Sequence, residues 1–314
     1  MTLSNVFSSA ALVTWIAASI RLSGPVLMAA LGEIFAERSG VLNVGIEGTI
    51  LLGALASFLA SQHASSVFVG MIAAVVAGIL ANLFLAWMYV TVRASQVVVG
   101  LVFNVLALGL AATFYHLAVA NTAAPQTIAM FKPLDVPILT GIPIIGPILF
   151  GQSIPLYLTI ALVALAHFIL FRTRAGLALR AAGENPRAAD SAGISVARMR
   201  YAGVLISGAM AGMAGGYLVL AQVGVFRESI VAGQGFIALG IVIFGRWSPW
   251  KAAAAALVFG ACDALQFTLQ LSGGAVPPQF LLSLPYIVTI LAISGVFGGK
   301  SVQPAALTVP YVKD

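Results

Sequence analysis

The run Ser294-Gly-Val-Phe-Gly-Gly-Lys-Ser301 stands one residue away from the glycine-rich pattern whose backbone amides cradle phosphates. Ser occupies the place of the first glycine, and the run ends an apolar helix instead of following a strand. Nucleotide binding is therefore not expected of this chain, and Lys300 reads as a charged anchor. His63, His116 and His167 lie far apart without metal-ligand spacing, so no metal site is expected. No Ser–His–Asp set can be assembled, no catalytic residue is assigned and no cofactor is called for. Basic residues do not alternate with aromatics, which argues against nucleic acid as a partner.

The densest group of ionisable residues is Glu33, Glu37, Arg38 and Glu47. Carboxylates beside long apolar runs are costly, so they are paired or functional. Glu37 with Arg38, or Glu33 with a nearby Arg, fits an interfacial pair. Residues 31–48, punctuated by Gly40, Gly45 and Gly48, read as broken helix or loop between two spans. Glu47, at the start of the second span, has two readings: lining or gating a pathway, or a hydrogen bond that holds a bent helix. Asn104 beside Phe103 also has two. A buried amide bonds a neighbouring helix, or it contacts a ligand while the ring stacks on it. Asp263 and Gln266 share one apolar run, and the Asp is expected to face protein or water.

The elements that must position these groups are membrane spans. Hydrophobic residues make up 61% of the chain and charged ones 8%, against roughly 25% charged in soluble domains. A span takes about 20 apolar residues, and lipid permits only helices or closed barrels. The continuous Ala-, Leu- and Gly-rich runs exclude the alternation of barrel strands. The expected fold is an all-α polytopic transmembrane helical bundle forming one domain over 1–314. About nine spans are expected, at 8–30, 41–60, 66–91, 96–119, 154–171, 201–221, 232–245, 252–270 and 279–298. Residues 120–153, with five prolines, Lys132 and Asp135, read as a periplasmic or re-entrant excursion. The first basic residue, Arg21, follows the start of an apolar run, so no signal peptide is expected. Cys262 has no second cysteine to pair with. Glycines at four-residue spacing, such as Gly208 and Gly212, suit close helix packing.

Charge concentrates in the loop 172–200. If this loop is cytoplasmic, alternation places Arg38, Arg93, Arg246, Lys251, Lys300 and Lys313 with its own six arginines. That puts 12 of the 15 basic residues on one side, with an outward N-terminus and a cytoplasmic C-terminus. Within the loop, Asn185 suits an N-cap, Pro186 the first helical position and Gly193 the position past the end. A short helix over 186–192 is expected. Ala188, Ala189 and Ala192 would form its small-residue face, while Arg187 and Asp190 point elsewhere. Gly183 is placed to end a helix running on from the fifth span. Two helices flanking the short capped one would make a projecting elbow suited to docking in a groove of a soluble partner; the bland alternative is a solvated basic loop that only fixes topology.

The wording of three stretches goes further. AAGENPRAADSAGISVARMRYAGVLISGAMAGMAGG resembles the cytoplasmic coupling segment of permeases of the branched-chain amino acid, simple sugar and nucleoside importers driven by ATP-binding cassettes. LGEIFAERSGVLNVGIEG (Leu31 to Gly48) is similar to the signature of the nucleoside-type permeases, and GQGFIALGIVIFGRWSPW (Gly233 to Trp250) matches too. The resemblance runs in order from about residue 10 to 299. It implies a permease subunit without enzymatic activity, in a bacterial or archaeal cell (inner) membrane, forming a pathway for nucleosides. It also implies three partners: a cytoplasmic ABC ATPase, a second permease subunit forming a related heterodimer partner, and an extracytoplasmic substrate-binding lipoprotein. ATPase coupling falls on Gly183, Glu184, Asn185, Pro186, Arg187, Ala188, Ala189, Asp190, Ala192 and Gly193. The substrate-pathway candidates are Asn43, Glu47, Phe103, Asn104, Asp263 and Gln266.

The nearest alternative substrate is a simple sugar. From another class, an ion-coupled secondary transporter would show discontinuous helices and mid-membrane ionisable groups in two repeats. Asp263 and Glu47 belong to no visible repeat. A membrane enzyme would need a converging catalytic set, which is missing.

Overall fold

A computed structural model describes residues 9–119, 127–134, 146–271 and 303–312, with six further positions between 280 and 290. These residues form helices and connecting segments with no β-strand. The helices are α1 (Ser9–Arg38), α2 (Ile46–Ala64), α3 (Val67–Ala86), α4 (Gln96–Val119), α5 (Ile154–Arg172), α6 (Arg174–Glu184), α7 (Pro186–Ser191), α8 (Val196–Tyr217), α9 (Gln234–Phe244) and α10 (Pro249–Leu271). Wide π turns at Trp87–Thr91 and Leu218–Val223 prolong α3 and α8.

Among the described residues, six helices are long and apolar enough to cross a membrane: Leu12–Arg38, Val67–Thr91, Gln96–Val119, Ile154–Arg172, Val196–Val223 and Pro249–Gln270. They coincide with six of the nine expected spans. Expected span 41–60 is helix α2, whose composition, with Glu47, Gln62 and His63, keeps it out of that group. Expected span 232–245 is the 11-residue α9, about 16 Å long against a hydrocarbon core of about 30 Å. The chain reaches it through the non-helical stretch 224–233, so α9 is a half-helix. The ninth expected span and the Ser294–Ser301 run lie outside the described residues, scattered positions excepted.

The first span is longer than expected. Polar Glu33, Glu37 and Arg38 suggested a boundary near residue 30, yet Leu-Gly-Glu-Ile-Phe-Ala-Glu-Arg continues α1 to Arg38. Leu, Glu, Ala and Arg are strong helix formers, and every polar group in this last stretch finds a protein partner. The break between α1 and α2 is confined to 39–45, where Gly40 takes φ +94°.

α1 is the central helix: Met28, Ala29, Ala30, Leu31 and Ile34 are fully buried. α8 fills the space beside it and meets α2 and α3 through glycines. A Cβ on Gly78 would strike the carbonyl of Gly208, one on Gly212 that of Ala74, and one on Gly215 that of Ile50. Backbone-to-backbone packing of this kind is how helices associate where lipid supplies no hydrophobic drive. The outer faces of α3 and α4 carry exposed Phe68, Ile72, Leu80, Val102, Val105 and Leu117, as lipid or a membrane-embedded neighbour requires.

The described parts of 120–153 are extended at 127–134 and π-helical at Gly146–Phe150. Phe131 donates its amide to Leu220 and Ile128 to Gly224, pinning the stretch to the end of α8.

Candidate functional site

Two constellations stand out, a polar hub around the break 39–45 and the elbow of α6 and α7. In the hub, Glu33 lies five residues before the end of α1, about 7.5 Å back along its axis. Its Oε1 accepts the Asn43 amide at 2.8 Å and its Oε2 the Ser207 hydroxyl at 3.0 Å. Asn43 Nδ2 donates to Asn82 Oδ1 at 2.7 Å and to Ser207 Oγ at 3.1 Å. Asn82 in turn donates to Thr49 Oγ1 at 2.8 Å. All five side chains are fully buried, so α1, α2, α3, α8 and the break are joined by one network. The break thus folds back beside α1, with its backbone sheltered inside protein.

Glu47 lies next to this hub, at the start of α2. Its Oε1 and Oε2 accept the amides of Gly233 and Gly235, each at 2.7 Å. These are the free N–H groups at the N-terminus of α9, where the helix dipole favours negative charge. A Cβ on Gly235 would lie 2.7 Å from the Glu47 backbone nitrogen, so only glycine permits the approach. The carboxylate therefore clamps a half-helix from another part of the chain. Asn104 completes the brace: Nδ2 donates to Val44 O at 3.0 Å, and Oδ1 accepts the Gly48 amide at 2.9 Å. Phe103 is buried with Val41, Leu85, Tyr89, Ala107 and Val204, and presents no open face.

The structure therefore brings Asn43, Glu47 and Asn104 together around one backbone break and leaves Asp263 and Gln266 apart. Both lie on α10, near where Trp15 Nε1 donates to Ala261 O. Trp15 precedes Glu33 by 18 residues of α1, about 27 Å. Glu37 and Arg38, one of the two pairings expected, do interact as charges, while their direct contacts go elsewhere. Glu37 accepts the Trp247 indole N–H, while Arg38 donates to Trp247 O at 3.2 Å and pairs with Glu184 at 3.7 Å. Asn82 and Ser207 are not among the residues expected from the sequence. Asn82 carried a signal, being an amide in an otherwise apolar run, but Ser207 carried none.

In the elbow, Thr173 opens α6, its hydroxyl accepting the Gly176 amide at 3.1 Å. Asn185 caps α7, accepting the Ala188 amide at 3.1 Å, and Pro186 is its first residue. Gly193 takes φ +81° just past the end. Two expectations need correction. Gly183 does not end a helix; it sits in the last turn of α6, where a Cβ would strike the Arg38 carbonyl. Ala189 does not share the outer face of α7: it is buried against Ala182 and Val196, because adjacent helical positions point about 100° apart. Arg187, Ala188, Ser191, Ala192 and Gly193 form the exposed side, with Asp190 half-buried.

The segment 303–312 was not foreseen at all. It lies across the elbow, with Ala306 donating to Gly183 O at 2.9 Å and Thr308 to Gly40 O at 3.2 Å. Arg200 Nη1 donates to Val309 O at 2.9 Å.

Comparison with known proteins gives a consistent result. A family model described as branched-chain amino acid transport system / permease component matches residues 15–293. The guanosine ABC transporter permease protein NupQ of Bacillus subtilis (strain 168) is 38% identical, covering 94% of this chain and 95% of that one. The nucleoside ABC transporter permease protein NupC of Lactococcus lactis subsp. cremoris is 37% identical, covering 93% and 94%. The putative glucose ABC transporter permease protein TsgC13 of Haloferax volcanii is 31% identical, covering 95% and 97%.

Proposed function

Since the chain belongs to the permease component family of branched-chain amino acid transport systems, we propose that it forms the translocation pathway of an ATP-driven importer of nucleosides. The observation that carries the substrate class is end-to-end similarity, at 38% and 37%, to a guanosine and a nucleoside permease. The glucose-permease relative makes simple sugars the second reading. The chain works with a cytoplasmic ATPase, a second, related permease subunit and an extracytoplasmic binding lipoprotein, in the inner membrane of a bacterial or archaeal cell.

The geometry supports an orientation with the elbow in the cytoplasm. Arg38 pairs with Glu184 of the elbow, and Arg93 and Arg200 line a cleft with Asp190 and Gly193. Basic residues distant in sequence thus collect at one end, as retention of Lys and Arg on the cytoplasmic side requires. At the other end, His116 pairs with Glu228 at 3.2 Å.

Coupling follows from the packing. A push on the exposed side of α7 is transmitted by α6, whose Gly183 rests on the end of α1 and on Gly40. The break 39–45 moves with it, and the break carries Asn43 of the hub and adjoins Glu47, the clamp on α9. These groups join the helices that must separate and re-pack between outward- and inward-facing states, each state making its own set of contacts. No covalent step is involved.

Uptake of labelled nucleosides, glucose and branched-chain amino acids by cells with and without this chain tests the substrate class. Loss of nucleoside uptake alone is the expected result; loss of glucose uptake alone would transfer the assignment to sugars.

A further inference from the structure

The segment 303–312 has two faces. Pro304, Ala306 and Leu307 are buried against the bundle, while Val309 and Val312 are 51% and 53% exposed. Its backbone is held at Gly183, Gly40 and Arg200, and Glu184 Oε2 also accepts the Ala305 amide at 3.3 Å. The outer face is therefore ordered in advance of any contact. Tyr311 forms a wall common to two clefts. One, of about 400 Å³, lies between Asn185–Arg187 and residues 305–312, which form a strap over the elbow. The other, of about 280 Å³, is bordered by Arg93, Asp190 and Gly193. Both clefts adjoin the exposed side of α7.

These valines do not belong to a lipid-facing surface. They lie at the end where Arg93, Arg187 and Arg198 are exposed, the end that the charge distribution assigns to the cytoplasm. Apolar side chains flanked by basic ones, beside a docking helix, match a protein surface with an apolar anchor and an acidic rim. We propose that the strap 305–312 is the second half of the ATPase-docking surface, so that the ATPase subunit engages α7 and Val309–Val312 together. The proposal rests on the coupling role of α7 given above, and supplies the part of the interface that α7, with six residues, is too small to provide.

The test is the amount of ATPase co-purified with the tagged, otherwise complete transporter in detergent. Three forms are compared: wild type, Ala188→Trp and the double variant Val309→Glu/Val312→Glu. The altered side chains are solvent-exposed, and gel filtration checks that each permease remains folded. Both variants are expected to lose ATPase about ten-fold, the scale on which disrupting an interface anchor acts. Loss with Ala188→Trp but full retention with the double Glu variant overturns the strap proposal and leaves the coupling helix standing. Retention in both variants overturns both. As a second measurement, Val312→Cys in a Cys262→Ser background is labelled with a benzophenone maleimide and photolysed in membranes. A crosslink to the ATPase supports the proposal; crosslinks to lipid alone, or none, contradict it.

Discussion

Replacing Glu47 separates the clamp from every other feature of the bundle. Both carboxylate oxygens accept backbone amides at 2.7 Å, from Gly233 and Gly235. Hydrogen bonds to a charged group contribute roughly 1.5–3 kcal/mol each, and the charge at the helix N-terminus about 0.3–1 kcal/mol more. Glu47→Gln keeps one acceptor, turns an NH₂ toward the other amide and removes the charge. It should weaken the attachment of α9 by about 2–4 kcal/mol, and Glu47→Ala by about 3–7 kcal/mol. A change of 1.4 kcal/mol is a factor of ten, so local opening at 233–237 should rise at least about thirty-fold in the Gln variant. Hydrogen–deuterium exchange of the peptide covering 233–237, measured by mass spectrometry in detergent, reads this opening directly. Glu228→Gln, at the exposed His116 pair, is the control and should leave that peptide unchanged. Exchange at 233–237 that is the same in Glu47→Gln as in wild type would refute the clamp.

Other perturbations address the packing and the hub. Gly212→Val places branched carbons against the Ala74 carbonyl and Gly78; it should force α3 from α8 and abolish recovery of monodisperse protein, while Gly109→Val, with open space around it, should not. Asn82→Ala removes the donor to Thr49 and the acceptor for Asn43; hydrogen bonds between membrane helices contribute about 0.6–2 kcal/mol each, so thermal unfolding should shift down clearly while the protein still inserts. Trp247→Phe leaves the buried Glu37 carboxylate without its indole donor, at a cost of about 1–3 kcal/mol, and should destabilise more than Trp250→Phe, whose ring is exposed. Ala189→Trp overfills the contact with Ala182 and Val196 and should unfold the elbow, whereas Ala188→Trp should leave it folded.

What was legible in the sequence follows from the range of the interactions. Asn185, Pro186 and Gly193 act on their own backbone, so the short helix was readable to within a residue. The long apolar helices and the glycine seam of α8 were readable because lipid leaves the backbone few alternatives. The extent of α1 is not legible because Glu33, Glu37 and Arg38 look like a boundary until their partners are seen. Those partners, Ser207, Trp247 and Glu184, are more than 140 residues away. Glu47 shows the same limit: a carboxylate at a span start announced a hydrogen bond, but not the half-helix 186 residues on that receives it. The strap carries no motif, since its attachment runs through main-chain groups that any residue supplies.

In the proposed mechanism this chain moves substrate only when an ATPase drives it through the elbow. The direct measurement is uptake of a labelled nucleoside into proteoliposomes holding the permease pair, the ATPase and the binding protein. ATP, on the ATPase side, and ion gradients are applied separately. Uptake is expected with ATP, none with a proton or sodium gradient alone, and none with ATP when the permease carries Ala188→Trp. Nucleoside uptake driven by an ion gradient in vesicles without any ATPase would contradict the mechanism.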